Sequence, residues 1–191
     1  MEKGPFNKII YFTKVQQEEL NNLESEGKIE IFYSLPGEEE FLELAKKYCG
    51  PKSAEGLYLT SGLLTVFDDW QTDIQGSFNI FFQVYSRHFN TSIYFLQQTL
   101  YHKNPIFCSI SLNTVYFIIY KNVRDKMQFR TFSNQVTGAN TKWLHQLFDS
   151  LTERPYGYLF IDLTQECPEY LRFRSHVLEA EGFTCVYTKK Q

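Results

Sequence analysis

The chain has few cysteines, and they lie far apart. Cys49, Cys108, Cys167 and Cys185 form no C-x-x-C pair, so the sequence does not indicate a zinc site. Cys108 lies in an apolar run that resembles a strand, where we expect it to be a small core residue. Isolated thiols of this kind fit an intracellular, reducing compartment.

Long apolar runs and targeting signals are also missing. No segment approaches the length of a membrane span, and the first residues do not have the pattern of a secretory signal peptide. Charge is spread unevenly: residues 1–86 carry 7 Lys/Arg and 14 Asp/Glu, a net of −7, whereas residues 87–191 carry 12 and 8, a net of +4. The basic half fits either ordinary surface charge or contact with a polyanion.

Aromatic residues are abundant, at 17% of the 191 residues, and they favour one packed domain with a sizeable core. Apolar strands alternate with helical segments, which indicates a parallel sheet covered by helices on both faces. The predicted strands are residues 8–13, 28–33, 63–67, 92–96, 115–120 and 158–163, and residues 183–187 are a further candidate. The predicted helices are residues 16–26, 38–48, 73–85, 124–135 and 141–153.

Polar residues follow three consecutive predicted strands. The pairs are Asp68-Asp69, Gln97-Gln98 and Lys121-Asn122. Because parallel sheets bind ligands at the carboxyl ends of their strands, these pairs are candidates for a shared site.

The chemistry of a nucleoside triphosphatase suits this order of residues. Asp68 could hold Mg²⁺ through water, and Asp69 could act as a base or orient the attacking water. Gln98 could contact the γ-phosphate and the water, and Arg87 could reach the nucleotide of a neighbouring subunit. Each residue also has an ordinary interpretation: a turn or helix N-cap for the aspartates, a solvated loop for the glutamines, and a helix-dipole partner for Arg87.

One part of such a site is absent from the sequence. No G-x-x-x-x-G-K-[ST] loop is present to cradle phosphates. The nearest segment, Gly27-Lys28, is followed by Ile29 and lacks the first glycine. The sequence therefore indicates the metal half of a nucleotide site without its phosphate half.

Four segments carry a resemblance to a known family: residues 86–104, 109–130, 155–164 and 171–174. The first contains the turn Arg87-His-Phe-Asn and a strand that ends in Gln98 before an aromatic-His pair. The second has Ser-Leu-Asn ahead of a strand that ends in Lys121-Asn-Val-Arg-Asp. With the strand that ends in Asp68-Asp69, this order resembles the genome-packaging ATPases of the FtsK/HerA class. The resemblance is to those of Polinton/Maverick elements and related large DNA viruses, including the poxvirus type.

The resemblance implies an α/β, P-loop NTPase-like fold of the RecA/FtsK type, with a mostly parallel sheet, helices on both faces, and no first strand or P-loop. It implies a single partial domain over residues 1–191, with a core at about 57–163 and a tail at 164–191. The roles that it implies are a metal carboxylate at Asp68, catalytic Asp69 and Gln98, a finger-like Arg87, and a late basic motif of Lys121, Asn122, Arg124 and Asp125.

The resemblance also implies cofactors and partners. Mg²⁺ and ATP would be the cofactors, and double-stranded DNA, capsid and ring subunits the partners. A homo-oligomer is a further expectation, and no membrane partner is expected. The location would be intracellular, with the nucleus and a cytoplasmic virus factory both open.

The missing loop leaves three explanations open: a truncated gene model, a decayed copy of a mobile element, or a domesticated protein that lost catalysis. The expected function is that of a truncated or degenerate DNA-packaging ATPase that is inactive as it stands, so its status as an enzyme is open. The alternative is a non-catalytic pseudo-ATPase that acts as a protein-interaction or DNA-binding module. Because the missing strand is central in the family, we expect residues 63–67 or a neighbouring strand to keep an open edge, or residues 183–187 to fill it.

Overall fold

A four-stranded parallel sheet is the framework of the first part of the chain. The computed structural model describes residues 6–59, 62–138, 141–178 and 181–189. The sheet has the order β2-β1-β3-β4, with β1 at Lys8–Phe12, β2 at Glu30–Phe32, β3 at Leu63–Asp68 and β4 at Thr91–Leu96. All three pairings are parallel, which confirms the predicted α/β architecture for this part of the chain.

Helical segments follow each of these strands, and those between paired strands supply the crossovers that parallel pairing requires. They are α1 at Glu18–Ser25, α2 at Glu38–Tyr48, a 3₁₀ turn at Gly76–Phe78, a π-helical turn at Phe81–Tyr85, α3 at Ser86–His88 and α4 at Pro105–Asn113. The predicted helix 73–85 is thus helical from residue 76 onward, but it changes from 3₁₀ to α and π geometry instead of forming one regular α-helix. Helix α4 was not predicted, and Cys108, expected to be a core residue in a strand, is exposed on it.

Aromatic side chains fill the core between this sheet and its helices. Phe12 of β1 and Phe67 of β3 stack with ring centroids 4.8 Å apart. Phe41 of α2 stacks on Phe81 at 4.1 Å and lies 6.1 Å from Phe67. All four rings are fully buried, and burial of one such side chain stabilises the fold by about 1.5–3 kcal/mol.

Strand β3 is paired along both of its edges, with β1 and β4, and its side chains are buried on both faces. Leu64 and Val66, which point away from the aromatic core, are each only 7% exposed. Their partners on β4 are Ser92 and Tyr94, and both are exposed. In this strand order β4 forms one edge of the sheet and β2 the other, so β3 has no open edge.

A second sheet, which is antiparallel, contains the later strands. Its order is β5-β6-β7-β8, with β5 at Tyr116–Tyr120, β6 at Tyr158–Asp162, β7 at Phe173–Ser175 and β8 at Cys185–Tyr187. Between β5 and β6 lie α5 at Lys126–Thr137 and α6 at Thr141–Leu151, and a 3₁₀ turn at Glu169–Leu171 precedes β7. Phe132 of α5 packs on Phe117, and Trp143 of α6 packs on Phe173.

This second sheet corrects two predictions. The strands predicted at 115–120 and 158–163 were expected in the mostly parallel sheet, but they pair with each other in antiparallel register. One of two alternatives was that residues 183–187 would fill an open edge beside β3, but β8 pairs with β7. An apolar run predicts a strand, but it does not predict whether that strand pairs in parallel or antiparallel. In β5 the composition also hides an exposed face, because the alternate residues Tyr116, Ile118 and Tyr120 are exposed although they are apolar or aromatic.

The chain divides into two compact units, Met1–Asn113 and Thr114–Gln191, and each contains one of the two sheets. The expectation of a single partial domain over residues 1–191 stays a prediction. Among the described helices, none combines the length and the apolar character that crossing a membrane requires.

The close approach of β3 and β4 at Gly62 leads to a stability prediction. A Cβ atom at Gly62 would lie 1.8 Å from the backbone oxygen of Asn90, whereas one at Gly76 would meet nothing within 4 Å. We expect Gly62→Ala to lower the free energy of unfolding by about 1–3 kcal/mol, because the two strands must move apart. Urea denaturation measures the loss, with Gly76→Ala as the matched control. Equal midpoints for the two variants would contradict the register at this position.

Candidate functional site

Asp68 and Asp69 lie where β3 ends. Asp68 is the last residue of the strand and pairs with Leu96 of β4. Asp69 has a left-handed backbone conformation, with φ of 59°, and its amide donates to the Leu96 carbonyl at 3.1 Å. Aspartate is one of the few residues other than glycine that adopt this conformation readily. The turn therefore begins at Asp69 and leaves the hydrogen bonds between β3 and β4 intact.

Gln98 lies beside this turn, just after β4. Its Nε2 donates to Asp69 Oδ2 at 3.2 Å. The sequence predicted that Asp68, Asp69 and Gln98 would meet at the carboxyl edge of one parallel sheet, on adjacent strands, and this geometry is confirmed. The third predicted pair, Lys121-Asn122, was wrongly placed at this edge, because it follows β5 of the antiparallel sheet. The catalytic and metal-binding roles of these residues stay predictions.

Tyr11 is a member of this group that sequence reasoning missed. Its hydroxyl donates to Asp68 Oδ2 at 3.1 Å from the neighbouring strand β1, where Tyr11 pairs with Val66. Burial, together with the charge of Asp68 and this hydrogen bond, raises the pKa of Tyr11 from 10.0 to about 12. The sequence feature that could have indicated this contact is the alternation of side chains along β1. It places Tyr11 on the face of the sheet opposite to the buried Ile10 and Phe12.

Asp68, Asp69 and Gln98 border a cleft of about 410 Å³. The lining residues are Thr13, Lys14, Val15, Gln17, Asp68, Asp69, Leu96, Gln97 and Gln98. The cleft thus lies across the carboxyl ends of β1, β3 and β4, which is where open parallel sheets bind ligands.

Lys14 carries the only positive charge among the residues that line the cleft. Its ammonium forms an ion pair with Asp73 and lies 4.9 Å from the centroid of the Trp70 ring. The hydrogen bonds from Lys14 and from the Thr72 hydroxyl lower the pKa of Asp73. Lys14 is therefore already engaged by a carboxylate, and the two aspartates of the cleft have no lysine or arginine paired with them among the described ion pairs.

The loop from β1 to α1 forms one wall of the cleft but lacks the features of a phosphate-binding loop. Residues 13–17 contain no glycine, and Glu18 and Glu19 occupy the first turn of α1. Phosphate binding at a helix N-terminus uses free backbone amides and a positive end charge. The negative charges of these two glutamates repel an anion, so this loop does not replace the missing phosphate-binding loop.

The donor set suits a hydrated Mg²⁺ ion better than a metal held mainly by protein ligands. In the described part of the chain, no three His, Cys, Asp or Glu side chains gather in a metal-binding group. Mg²⁺ typically keeps several waters and takes one or two carboxylates from the protein. Asp68 and Asp69 fit that requirement, and Asp68 would be the carboxylate oriented by Tyr11.

Arg87 lies at the other end of β4. It is part of α3, which precedes the amino end of the strand, and its Nη2 donates to Asn113 Oδ1 at 3.5 Å. A strand of six residues is about 17 Å long, so Arg87 does not reach the cleft of its own chain. A finger-like role toward a neighbouring subunit stays a prediction.

The late basic motif has a local structural role. The side chain of Asn122 accepts hydrogen bonds from the backbone amides of Arg124 and Asp125. Asp125 in turn caps the start of α5 by accepting from the amides of Met127 and Gln128. The motif therefore shapes the turn between β5 and α5, as side chains of this type commonly do.

The contact between Tyr11 and Asp68 predicts a dependence of stability on pH. Because the folded-state pKa of Tyr11 lies above its ordinary value, the associated stability is fully present below pH 10 and is lost as pH rises toward 12. We expect Tyr11→Phe to reduce the free energy of unfolding by about 0.5–1.5 kcal/mol below pH 10 and by less above it. In an Asp68→Ala background, which has no side-chain acceptor for the hydroxyl, the same substitution should have little effect. An equal loss in both backgrounds, measured by urea denaturation, would show that the hydroxyl does not act through Asp68.

Comparison with known proteins does not assign this site to a family. The chain matches no protein-family model, no curated protein and no solved structure. The resemblance to packaging ATPases therefore rests on the motif residues of the sequence.

Proposed function

We propose that the cleft binds Mg²⁺ together with a phosphate-bearing nucleotide, and that the chain is related to the DNA-packaging ATPases that it resembles. The observation that carries the proposal is the meeting of Asp68, Asp69 and Gln98 at the carboxyl edge of adjacent parallel strands. Two carboxylates and an amide at this position are suited to a hydrated metal and a polar ligand.

Each residue has a role that follows from its contacts. Asp68, held by the Tyr11 hydroxyl, would bind the metal through water. Asp69 would accept a proton from a water molecule or orient it, and Gln98 holds the Asp69 carboxylate through its amide. Mg²⁺ would supply the positive charge that draws phosphate oxygens toward these carboxylates.

Several features argue that this chain does not complete hydrolysis by itself. The phosphate loop is absent from the 191 residues, Lys14 is paired with Asp73, and Arg87 is at the far end of β4. Phosphoryl transfer needs a preorganised cradle of amides and cations around the transferred group. The proposal is therefore a site that binds metal and nucleotide weakly and hydrolyses slowly or not at all.

As a relative of packaging ATPases, the chain would act inside cells on double-stranded DNA, with capsid or ring subunits as partners. The net charge of +4 over residues 87–191 is compatible with a polyanion. No described contact identifies a DNA-binding surface, so this part of the proposal rests on the resemblance.

A pseudo-ATPase that serves as a protein-interaction module is the second candidate. The specific observation in its favour is the combination of an incomplete phosphate site with an open, uncharged strand edge at β4. Edges of this kind accept strands from other polypeptides. A pseudo-ATPase of this kind would keep the shape of the nucleotide cleft but would not catalyse hydrolysis.

Metal binding gives the first test of the proposed site. We expect Mn²⁺, used as a paramagnetic substitute for Mg²⁺, to bind the purified chain at one site. We expect Asp68→Asn to weaken that binding by about tenfold or more and Tyr11→Phe by about tenfold, since oriented ligands bind metals more tightly. Water-proton relaxation measures both. The control is Asp149→Asn, which removes an exposed carboxylate of α6, and an equal effect of this control would contradict the assignment.

Hydrolysis gives the second test. We expect the purified chain to show no Mg²⁺-dependent release of phosphate from ATP above the level of its Asp69→Asn variant, because backbone amides that hold the phosphates are missing. Clear hydrolysis that Asp69→Asn abolishes would contradict this expectation while supporting the metal site. Absence of Mn²⁺ binding to the wild-type chain would instead contradict the metal site, so either test can fail without the other.

A further inference from the structure

The outer edge of β4 carries backbone groups without a strand partner. Among the described residues, β4 pairs with β3 alone. The carbonyls of Asn90 and Leu96 accept from the amides of Leu63 and Asp69, so the even-numbered residues of β4 bond to β3. By the alternation of a parallel ladder, the backbone N–H and C=O groups of residues 91, 93 and 95 point away from the sheet.

This edge lacks the devices by which proteins block strand pairing. From Asn90 to Tyr101 there is no charged residue and no proline. Tyr94 is 55% exposed and Leu96 is 44% exposed on the open face. Natural edge strands are commonly protected by charged residues, proline, bulges or short length. Strand β4 has six residues of regular strand and contains neither a charged residue nor a proline.

The opposite edge of the same sheet is protected. Strand β2 has only three residues, and its Glu30 forms an ion pair with Lys8 of β1 at 2.8 Å. A strand docked on β2 would meet this charge and find few backbone groups. The contrast between the two edges points to β4 as the place where pairing occurs.

We propose that two copies of the chain pair through β4 in antiparallel register about a two-fold axis at Ile93. In this register Ile93 faces its own counterpart, and Thr91 faces Phe95 of the other copy. Every outward-pointing backbone group of residues 91, 93 and 95 then meets an outward-pointing group of the other strand, as a hydrogen-bonded antiparallel pair requires. On the open face, Ser92 lies opposite Tyr94 of the other copy.

A second copy fits this edge because identical strands meet here without repulsion. The segment from Asn90 to Tyr101 is uncharged, so no like charges face each other across the axis. Tyr94 and Leu96 would each gain cover from the neighbouring strand. A two-fold contact uses the edge once in each copy and closes at a dimer with one continuous eight-stranded sheet. This inference does not depend on nucleotide binding.

Disulfide trapping tests the register directly. Opposed residues of a hydrogen-bonded antiparallel pair have Cα atoms about 5.5 Å apart, within the range of a disulfide. In a Cys108→Ser background, which removes the exposed native thiol, Ile93→Cys should form a cross-linked dimer on mild oxidation. Phe95→Cys is the matched control, because its two copies would be offset by four residues, which is about 13 Å along the strands in this register. Equal cross-linking of both variants, or of neither, would overturn the proposed register.

Charge substitutions test the edge without a new thiol. Ser92→Lys with Tyr94→Lys places like charges opposite each other and should give a monomer of 22.6 kDa, whereas the wild type sediments at twice that mass. Mixing this variant with one carrying Ser92→Glu and Tyr94→Glu should restore a dimer. The control is Tyr116→Lys with Ile118→Lys on the exposed face of β5, which should remain dimeric. A wild-type chain that is monomeric across a concentration series, or a dimer lost only in the β5 variant, would overturn the proposal.

Discussion

The pairing of β3 with a parallel strand on each side is the constraint on which the first unit depends. It places β3 inside the sheet, where Phe67 enters the aromatic core on one face and Leu64 and Val66 are buried on the other. The same pairing brings the end of β3 level with the ends of β1 and β4. Core and cleft are thus two results of one arrangement, and a change in strand register would disturb both.

The cleft is unusual in its balance of charge. Two aspartates lie within it, and its one lysine is held by a third, Asp73. What orients Asp68 and Asp69 is a pair of neutral donors, the Tyr11 hydroxyl and the Gln98 amide. Neutral donors fix the carboxylates without cancelling their charge, and this leaves them available to a cation.

The sequence predicted the parallel strands and the meeting of Asp68, Asp69 and Gln98 because apolar runs followed by polar pairs have one simple arrangement in a parallel sheet. It did not predict Tyr11, since that contact depends on which residue of β1 lies beside Asp68. The separate antiparallel sheet was also missed. Strand β5 is apolar at alternate positions that the fold leaves exposed, so its composition resembles that of a strand buried on both faces.

The left-handed backbone at Asp69 separates what the fold needs from what the chemistry needs at this position. The backbone accepts aspartate, asparagine or glycine there at little cost, and a β-branched residue only with strain. A lineage that no longer uses the carboxylate could exchange it for asparagine or glycine and keep the sheet unchanged. In related chains, the residue at this turn would therefore record whether the acid itself has been retained by selection, independently of whether the protein still folds.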